Sequence, residues 1–97
     1  MHPSWHEEAV EELNASSIYY EKKGEGLGER FIGEVESTIA RILYAPESLR
    51  IFQHGCRKMN LRRFPYSVIY TIRSERVHIV ALMHQARRPG YWARRSK

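Results

Sequence analysis

The chain has 97 residues, of which 42% are apolar and 11% aromatic, so it can bury one hydrophobic core but not two independent ones. This composition argues against intrinsic disorder, because disordered chains lack so much apolar surface. The formal net charge of +5 combines two unlike halves: residues 1–48 carry a net charge of −6 and residues 49–97 a net charge of +11. A step of this size predicts that the second half presents a surface to an anionic partner.

The acidic and sulfur-containing residues limit the chemistry further. All eleven acidic residues are glutamates, so a two-metal centre built on aspartates is excluded and neither a metal nor a cofactor is expected. The single cysteine, Cys56, has no partner for an intrachain disulfide and suits a reducing compartment. No signal segment opens the chain, and its longest apolar run, Ile79 to Met83, is too short for a bilayer. These features predict a soluble, cytoplasmic protein without a membrane partner.

The first elements in chain order are a short edge strand and a helix over about residues 6–22. Apolar and small residues repeat on one helical face, namely Ala9, Val10, Leu13, Ser16, Ser17 and Tyr20. Glutamates crowd the start of this segment and Lys22 and Lys23 lie at its end, as the helix dipole favours.

The sequence GEGLG at residues 24–28 predicts a turn into a second helix over about residues 27–45, which Pro46 ends. One apolar stripe runs along that helix, formed by Phe31, Ile32, Val35, Ile39, Ile42 and Leu43. Two amphipathic helices joined by a short loop form an αα-hairpin, which needs a third surface to cover its apolar side.

Three strands supply that surface. Residues 56–63 alternate between apolar and polar side chains, whereas residues 66–73 and 76–84 are apolar on both parities, which is typical of interior strands. Residues 73–76 form a tight hairpin, and residues 49–55 add a short strand or merely lead into the sheet. The predicted fold is α+β: a short N-terminal strand, then an αα-hairpin packed on one face of a three- to four-stranded antiparallel sheet. The other face, bearing Lys58, Asn60 and Arg62, is expected to be partly open and positive.

Several stretches of this sequence resemble bacterial toxins of the RelE/ParE superfamily. They are AVEELNASSIYYEKKGEGLGERFIGEVESTIARI, GCRKMNLRRFPYSVIYTI and IVALMHQARRPGYWARR. The resemblance runs from about Trp5 to Arg95 and implies the same strand–helix–helix–strands fold. It also implies one toxin domain over residues 1–97, whose tail, residues 84–97, we expect to dock on the sheet through Trp92.

The resemblance implies the toxin of a type II toxin–antitoxin module of the plasmid stabilisation type. A cognate antitoxin would neutralise it, in a hetero-oligomer of the two proteins. The superfamily has two activities: ParE-like members poison DNA gyrase, and RelE-like members cut messenger RNA on the ribosome without a metal. A nucleic-acid-binding module, or a degenerate toxin with no activity beyond antitoxin binding, is a third interpretation.

A metal-free nuclease needs groups that move protons and cations that stabilise the phosphorane. Lys58, His84, Arg87 and Tyr91 have suitable side chains, and histidine titrates near neutral pH. The resemblance places Lys58 and Tyr91 where RelE-like enzymes have a lysine and a tyrosine, and some RelE relatives use a histidine as the acid or base.

Other positions depart from the nuclease pattern. Asn60 stands where RelE-like enzymes have a second lysine, Ser67 where they have an arginine, and Gln85 near a tail arginine. These departures favour a ParE-like toxin that binds gyrase without catalysing a reaction, with an mRNA endoribonuclease as the alternative. Binding to gyrase or to nucleic acid is assigned to the cationic side chains Arg57, Lys58, Arg62, Arg87 and Arg94.

Overall fold

Two helices pack on one face of a four-stranded sheet in the computed structural model, which describes residues 2–96. The elements are β1 (Ser4–Trp5), α1 (Glu7–Lys23), α2 (Leu27–Tyr44), β2 (Arg57–Asn60), β3 (Tyr66–Arg73), β4 (Arg76–His84) and a 3₁₀ helix (Ala93–Ser96). The predicted α+β fold and its order of elements are confirmed. β2 is shorter than predicted, and residues 49–55 lead into it with only one isolated bridge, from Gln53 to Cys56.

The sheet has the order β1-β4-β3-β2. β2, β3 and β4 are antiparallel, as predicted, whereas β1 lies parallel to β4, with Ser4 opposite His78 and Trp5 opposite Ile79. The hairpin between β3 and β4 turns through Ser74 and Glu75, whose φ angles of 49° and 65° fit a tight two-residue connection. β1 therefore covers only the first part of the outer edge of β4.

The sheet carries a buried cluster on each face. Phe31, Val35 and Ile42 of α2 pack with Val68 and Ile79 on the helix side of the sheet. The other face is less open than predicted, because a second cluster lies there over β3 and β4, formed by Cys56, Ile69, Val80, Ala81, Met83 and Trp92. β3 and β4 carry apolar side chains on both faces, so both faces of these strands must be shielded from water.

The two helices approach closely at Gly28. A Cβ atom at this position would lie 2.6 Å from the backbone oxygen of Ser17. On the same side, the Glu21 carboxylate accepts hydrogen bonds of 3.0 Å from the backbone amides of Gly26 and Gly28. These two bonds lower the pKa of the Glu21 carboxyl. The glycine-rich connector is thus a turn whose free amides are capped from within the chain.

We expect Gly28→Ala to lower the free energy of unfolding by about 1–3 kcal/mol, because the added methyl group meets a backbone atom that cannot move aside cheaply. Gly33→Ala is the matched control, since a Cβ atom there meets nothing within 4 Å. That change should be stabilising by about 0.5–1 kcal/mol, as alanine is the better helix former. Urea denaturation of both variants measures the difference. Equal stabilities would contradict the close approach of α1 and α2.

Candidate functional site at the C-terminal tail

The chain after β4 folds back over the sheet face opposite the helices. Gly90 allows the bend, with a φ of 97° that L-residues rarely adopt. Trp92 then enters the second cluster and is 0% exposed, with the His54 ring edge-on at 5.7 Å. The tail is therefore an ordered layer of the fold, with Trp92 as its anchor.

The Glu12 carboxylate of α1 connects the tail to the sheet. One of its oxygens accepts a hydrogen bond of 3.0 Å from the backbone amide of Leu82, and the other accepts one of 2.6 Å from the Tyr91 hydroxyl. The Arg95 guanidinium donates to both oxygens, at 2.9 and 3.2 Å. β1 pairs with only two residues of β4. The Glu12 carboxylate therefore accepts the hydrogen bond of the Leu82 amide that a longer neighbouring strand would accept.

Arg95 is a buried cation. It is 8% exposed, and its guanidinium also donates to the backbone oxygen of Val80 at 3.3 Å and lies 3.6 Å from the Glu8 carboxylate. A charge removed from water to this degree is tolerated only with opposite charge and hydrogen bonds around it. Glu8 and Glu12, one helical turn apart on α1, provide both.

Arg94 forms a second, solvent-exposed pair with Glu8. The two side chains are joined by hydrogen bonds of 2.9 and 3.1 Å, although the Arg94 side chain is 70% exposed. The Arg94 hydrogen bond is the largest cause of a lowered pKa for the Glu8 carboxyl, and the nearby charge of Arg95 adds to it. Exposed pairs contribute little to stability, so Arg94 orients the tail more than it stabilises it.

Arg87 and Tyr91 lie together beside this network. The Arg87 guanidinium carbon lies 3.6 Å from the centre of the Tyr91 ring, and Arg87 reaches Glu12 at 3.9 Å while its side chain is 57% exposed. Burial, followed by the hydrogen bond to Glu12, raises the pKa of the Tyr91 phenol. Tyr91 therefore stays protonated at neutral pH and acts here as a donor and a platform for Arg87.

Lys58 and His84 lie on opposite faces of the sheet. Lys58 pairs with Ile69 of the second cluster, and its ammonium sits 4.3 Å above the Phe52 ring. His84 pairs with Tyr66, which faces the helices, and its ring lies 5.0 Å from that of Tyr66. The structure therefore brings Arg87 and Tyr91 together, and leaves Lys58 and His84 outside that group.

His84 has a local structural role. Its Nδ1 accepts a hydrogen bond of 3.0 Å from the backbone amide of Ala86, at the point where the chain leaves β4. The neighbouring Gln85 side chain donates to the backbone oxygen of Tyr66 at 3.1 Å. Both side chains thus hold the beginning of the tail against the start of β3.

The remaining predicted cations occupy two further places. Arg57 donates to the backbone oxygens of Glu47 and Leu49, at 3.1 and 2.6 Å, and so holds the segment that leads into β2. Arg62 is exposed in the loop between β2 and β3. Among the predicted binding residues, only Arg87 and Arg94 belong to the tail.

The side chains of Asn60 and Ser67 form a hydrogen bond with each other. They are partners in the β2–β3 register, and the Ser67 hydroxyl donates to the Asn60 side-chain oxygen at 2.6 Å. Ser67 is fully buried. At the two positions where the resemblance places a lysine and an arginine in nucleases, this chain has a neutral, internally bonded pair.

Sequence reasoning missed the importance of Glu8 and Glu12, which it treated only as charges favoured by the helix dipole. Their spacing of four residues places them on one face of α1, and Glu12 directly precedes the apolar Leu13. The sequence signal for this contact was a pair of carboxylates next to an apolar stripe, in a chain whose tail carries two adjacent arginines.

Within residues 2–96 no group of three or more histidine, cysteine or glutamate side chains could hold a metal ion. In the same range no helix has the length and apolar character to cross a bilayer. Cys56 is buried, and that burial raises the pKa of its thiol.

Glu12→Gln should lower the free energy of unfolding by about 3–5 kcal/mol, because it leaves the buried Arg95 charge without its main counter-ion. Glu11→Gln removes the same charge from the neighbouring, exposed position and should change stability little. Chemical denaturation followed by tryptophan fluorescence checks both, in a Trp5→Phe background so that Trp92 alone reports tail docking. A loss no larger than that of the control would contradict the role of Glu12.

The Glu8–Arg94 pair predicts a pH effect. Because the folded pKa of Glu8 is lowered, its ionised form stabilises the fold above the unfolded pKa, and this contribution is lost as the pH falls through the folded pKa. Arg94→Gln should raise the Glu8 pKa toward the ordinary glutamate value of 4.5. Carbon-detected NMR titration of the Glu8 carboxyl measures this shift, with Arg50→Gln as the control. An unchanged midpoint would show that Arg94 does not hold Glu8 in solution.

Comparisons with known proteins agree with the fold. The family model described as the ParE toxin of the type II toxin–antitoxin system parDE matches residues 4–89. A solved structure from the chromosomal ParDE toxin–antitoxin system of P. aeruginosa superposes with a TM-score of 0.63 at 18% identity, over 87% of this chain and 95% of that one. Curated proteins give no match. The family match covers most of the chain, which therefore belongs to the ParE toxin family of type II toxin–antitoxin systems.

Proposed function

We propose that this chain stops bacterial growth by binding DNA gyrase through its basic tail, and that a cognate antitoxin neutralises it. Membership of the ParE toxin family supports the toxin role, and the superfamily resemblance associates ParE-like members with gyrase. Residues 1–97 act as one toxin domain in this proposal. Gyrase acts on chromosomal DNA, so the proposal also places the chain in the cytoplasm.

The observation that carries the proposal is the separation of the groups a nuclease would need. Lys58 and His84 lie on opposite faces of the sheet. General acid–base catalysis requires donor and acceptor groups within hydrogen-bond reach of the same substrate. The hydrogen bond between Ser67 and Asn60 supports the same conclusion, because neutral side chains stand where a phosphorane would need cations.

The tail has the properties of a recognition surface. Its residues 85–89 are exposed, and they include Arg87 and Arg88. The bend is held at its start by the hydrogen bond from Gln85 to the Tyr66 backbone oxygen and at its end by the burial of Trp92, so these cations are presented on a fixed frame. Preorganised charge gives affinity and orientation toward an acidic or nucleic-acid-bearing target without any chemical step.

The purified chain should inhibit supercoiling by DNA gyrase, and Arg87→Gln should weaken that inhibition by about tenfold or more, as expected for a central charged contact. Tyr91→Ala should act in the same direction, because it removes the platform beneath Arg87. Arg50→Gln removes an equal charge from an exposed position outside the tail and serves as the control. The measurement is the half-inhibitory concentration in a supercoiling assay, with folding checked by circular dichroism.

Messenger RNA analysis distinguishes this proposal from its alternative. After induction in cells, primer extension should show intact transcripts while growth stops. Site-specific cuts in translated mRNA, together with undiminished supercoiling in vitro, would replace the gyrase proposal with a ribosome-dependent endoribonuclease.

A further inference from the structure

A second cationic surface lies between α2 and the β2–β3 loop, away from the tail. It is a groove to which α2 contributes Arg30 and Arg41 and the loop contributes Arg62 and Arg63, with Leu27 and Phe64 as apolar lining. We call this surface the arginine groove. The gyrase proposal, which acts through the tail, leaves this surface unused.

The four arginines of the arginine groove form no ion pair among the described residues. Over residues 2–96, every ion pair joins one of the arginines Arg87, Arg94 and Arg95 to Glu8 or Glu12. No groove arginine takes part in these pairs. The Nε atom of Arg41 is buried and has no hydrogen-bond partner. Four guanidinium groups that line one groove and form no ion pair among the described residues indicate a site for an anion.

One carboxylate lies in the groove, but it is already engaged. The Glu34 side chain accepts a hydrogen bond from the backbone amide of Arg63 and thereby ties the loop to α2. Phe64 packs edge-on against Phe31 of the core at 5.1 Å, and the Leu61 amide donates to the Tyr66 oxygen at 2.9 Å. These contacts hold the loop, so the groove is formed before any ligand arrives.

We infer that the arginine groove binds an acidic peptide segment of the antitoxin, with glutamate or aspartate side chains on the arginines and an apolar side chain on Leu27 and Phe64. This inference rests on the proposed function only in taking a cognate antitoxin as the partner. Guanidinium groups bind carboxylates in a two-pronged geometry that fits a groove lined by four of them.

The lining favours a peptide over a nucleic acid. Leu27 is aliphatic and the Phe64 ring already packs against Tyr20 and Phe31, so the apolar part of the groove suits an aliphatic side chain better than a stacking base. A peptide with both acidic and apolar side chains satisfies the two parts of the groove together. Neutralisation through this groove would use a surface other than the tail, so toxicity and antitoxin binding depend on different residues.

The test is the affinity of the purified cognate antitoxin for the full chain, measured by isothermal titration calorimetry. The double variant Arg30→Gln/Arg41→Gln should raise the Kd by about tenfold or more and reduce its dependence on salt. The control Arg50→Gln/Arg76→Gln removes two exposed arginines outside the groove and should leave the Kd within about twofold. Thermal melting compares the folding of both variants.

The groove variant should inhibit gyrase as strongly as the unaltered chain, which separates this inference from the gyrase proposal. A selective loss of antitoxin affinity supports the inference even if the chain does not inhibit gyrase. An unchanged Kd, or an equal loss in the control, overturns it. A loss of binding to a short DNA duplex with full antitoxin affinity also overturns it and assigns the groove to nucleic acid.

Discussion

The fold depends on one carboxylate more than on any other polar group. Glu12 accepts hydrogen bonds from the Leu82 amide of β4, the Tyr91 hydroxyl and the Arg95 guanidinium, and so joins α1, the sheet edge and the tail at one point. A strand longer than β1 would satisfy the edge of β4 with backbone groups. Because β1 has only two residues, the Glu12 side chain accepts the hydrogen bond at that edge. The same carboxylate provides the opposite charge that the buried Arg95 requires.

The tail completes the molecule as a third layer. β3 and β4 are apolar on both faces, so the helices alone cannot shield the sheet, and Trp92 closes the second face. This arrangement also changes the meaning of the charge asymmetry. Within the chain, Arg94 pairs with Glu8, Arg95 pairs with Glu8 and Glu12, and Arg87 approaches Glu12 at 3.9 Å. The cationic excess left for partners is concentrated at Arg87 and Arg88 and in the arginine groove.

Periodicity and turn residues were sufficient to predict the helices, the bounds of β3 and β4, and the hairpin between them, because these depend on local sequence. The local sequence does not determine which residues of neighbouring strands lie opposite each other. Whether Lys58 and His84 share a face depends on Lys58 lying opposite Ile69 and His84 lying opposite Tyr66. A shift of one residue in either register would have placed Lys58 and His84 on the same face of the sheet. The role of Glu12 was hidden for the same reason, since its partners Leu82 and Arg95 are distant in sequence.

One fold supports two activities in this superfamily, gyrase poisoning and mRNA cleavage, so function must be argued from the site. Here the polar groups near the nuclease positions are engaged in holding the structure: Asn60 with Ser67, His84 with Ala86, and Tyr91 with Glu12. A catalytic group must be free to exchange a proton with its substrate, whereas these groups are committed to neighbours. The arginines of the tail and of the arginine groove, by contrast, keep their charge at every physiological pH and bind anions without exchanging protons. Such a surface is suited to recognition, and its division between the tail and the arginine groove matches a protein that must meet both a target and an inhibitor.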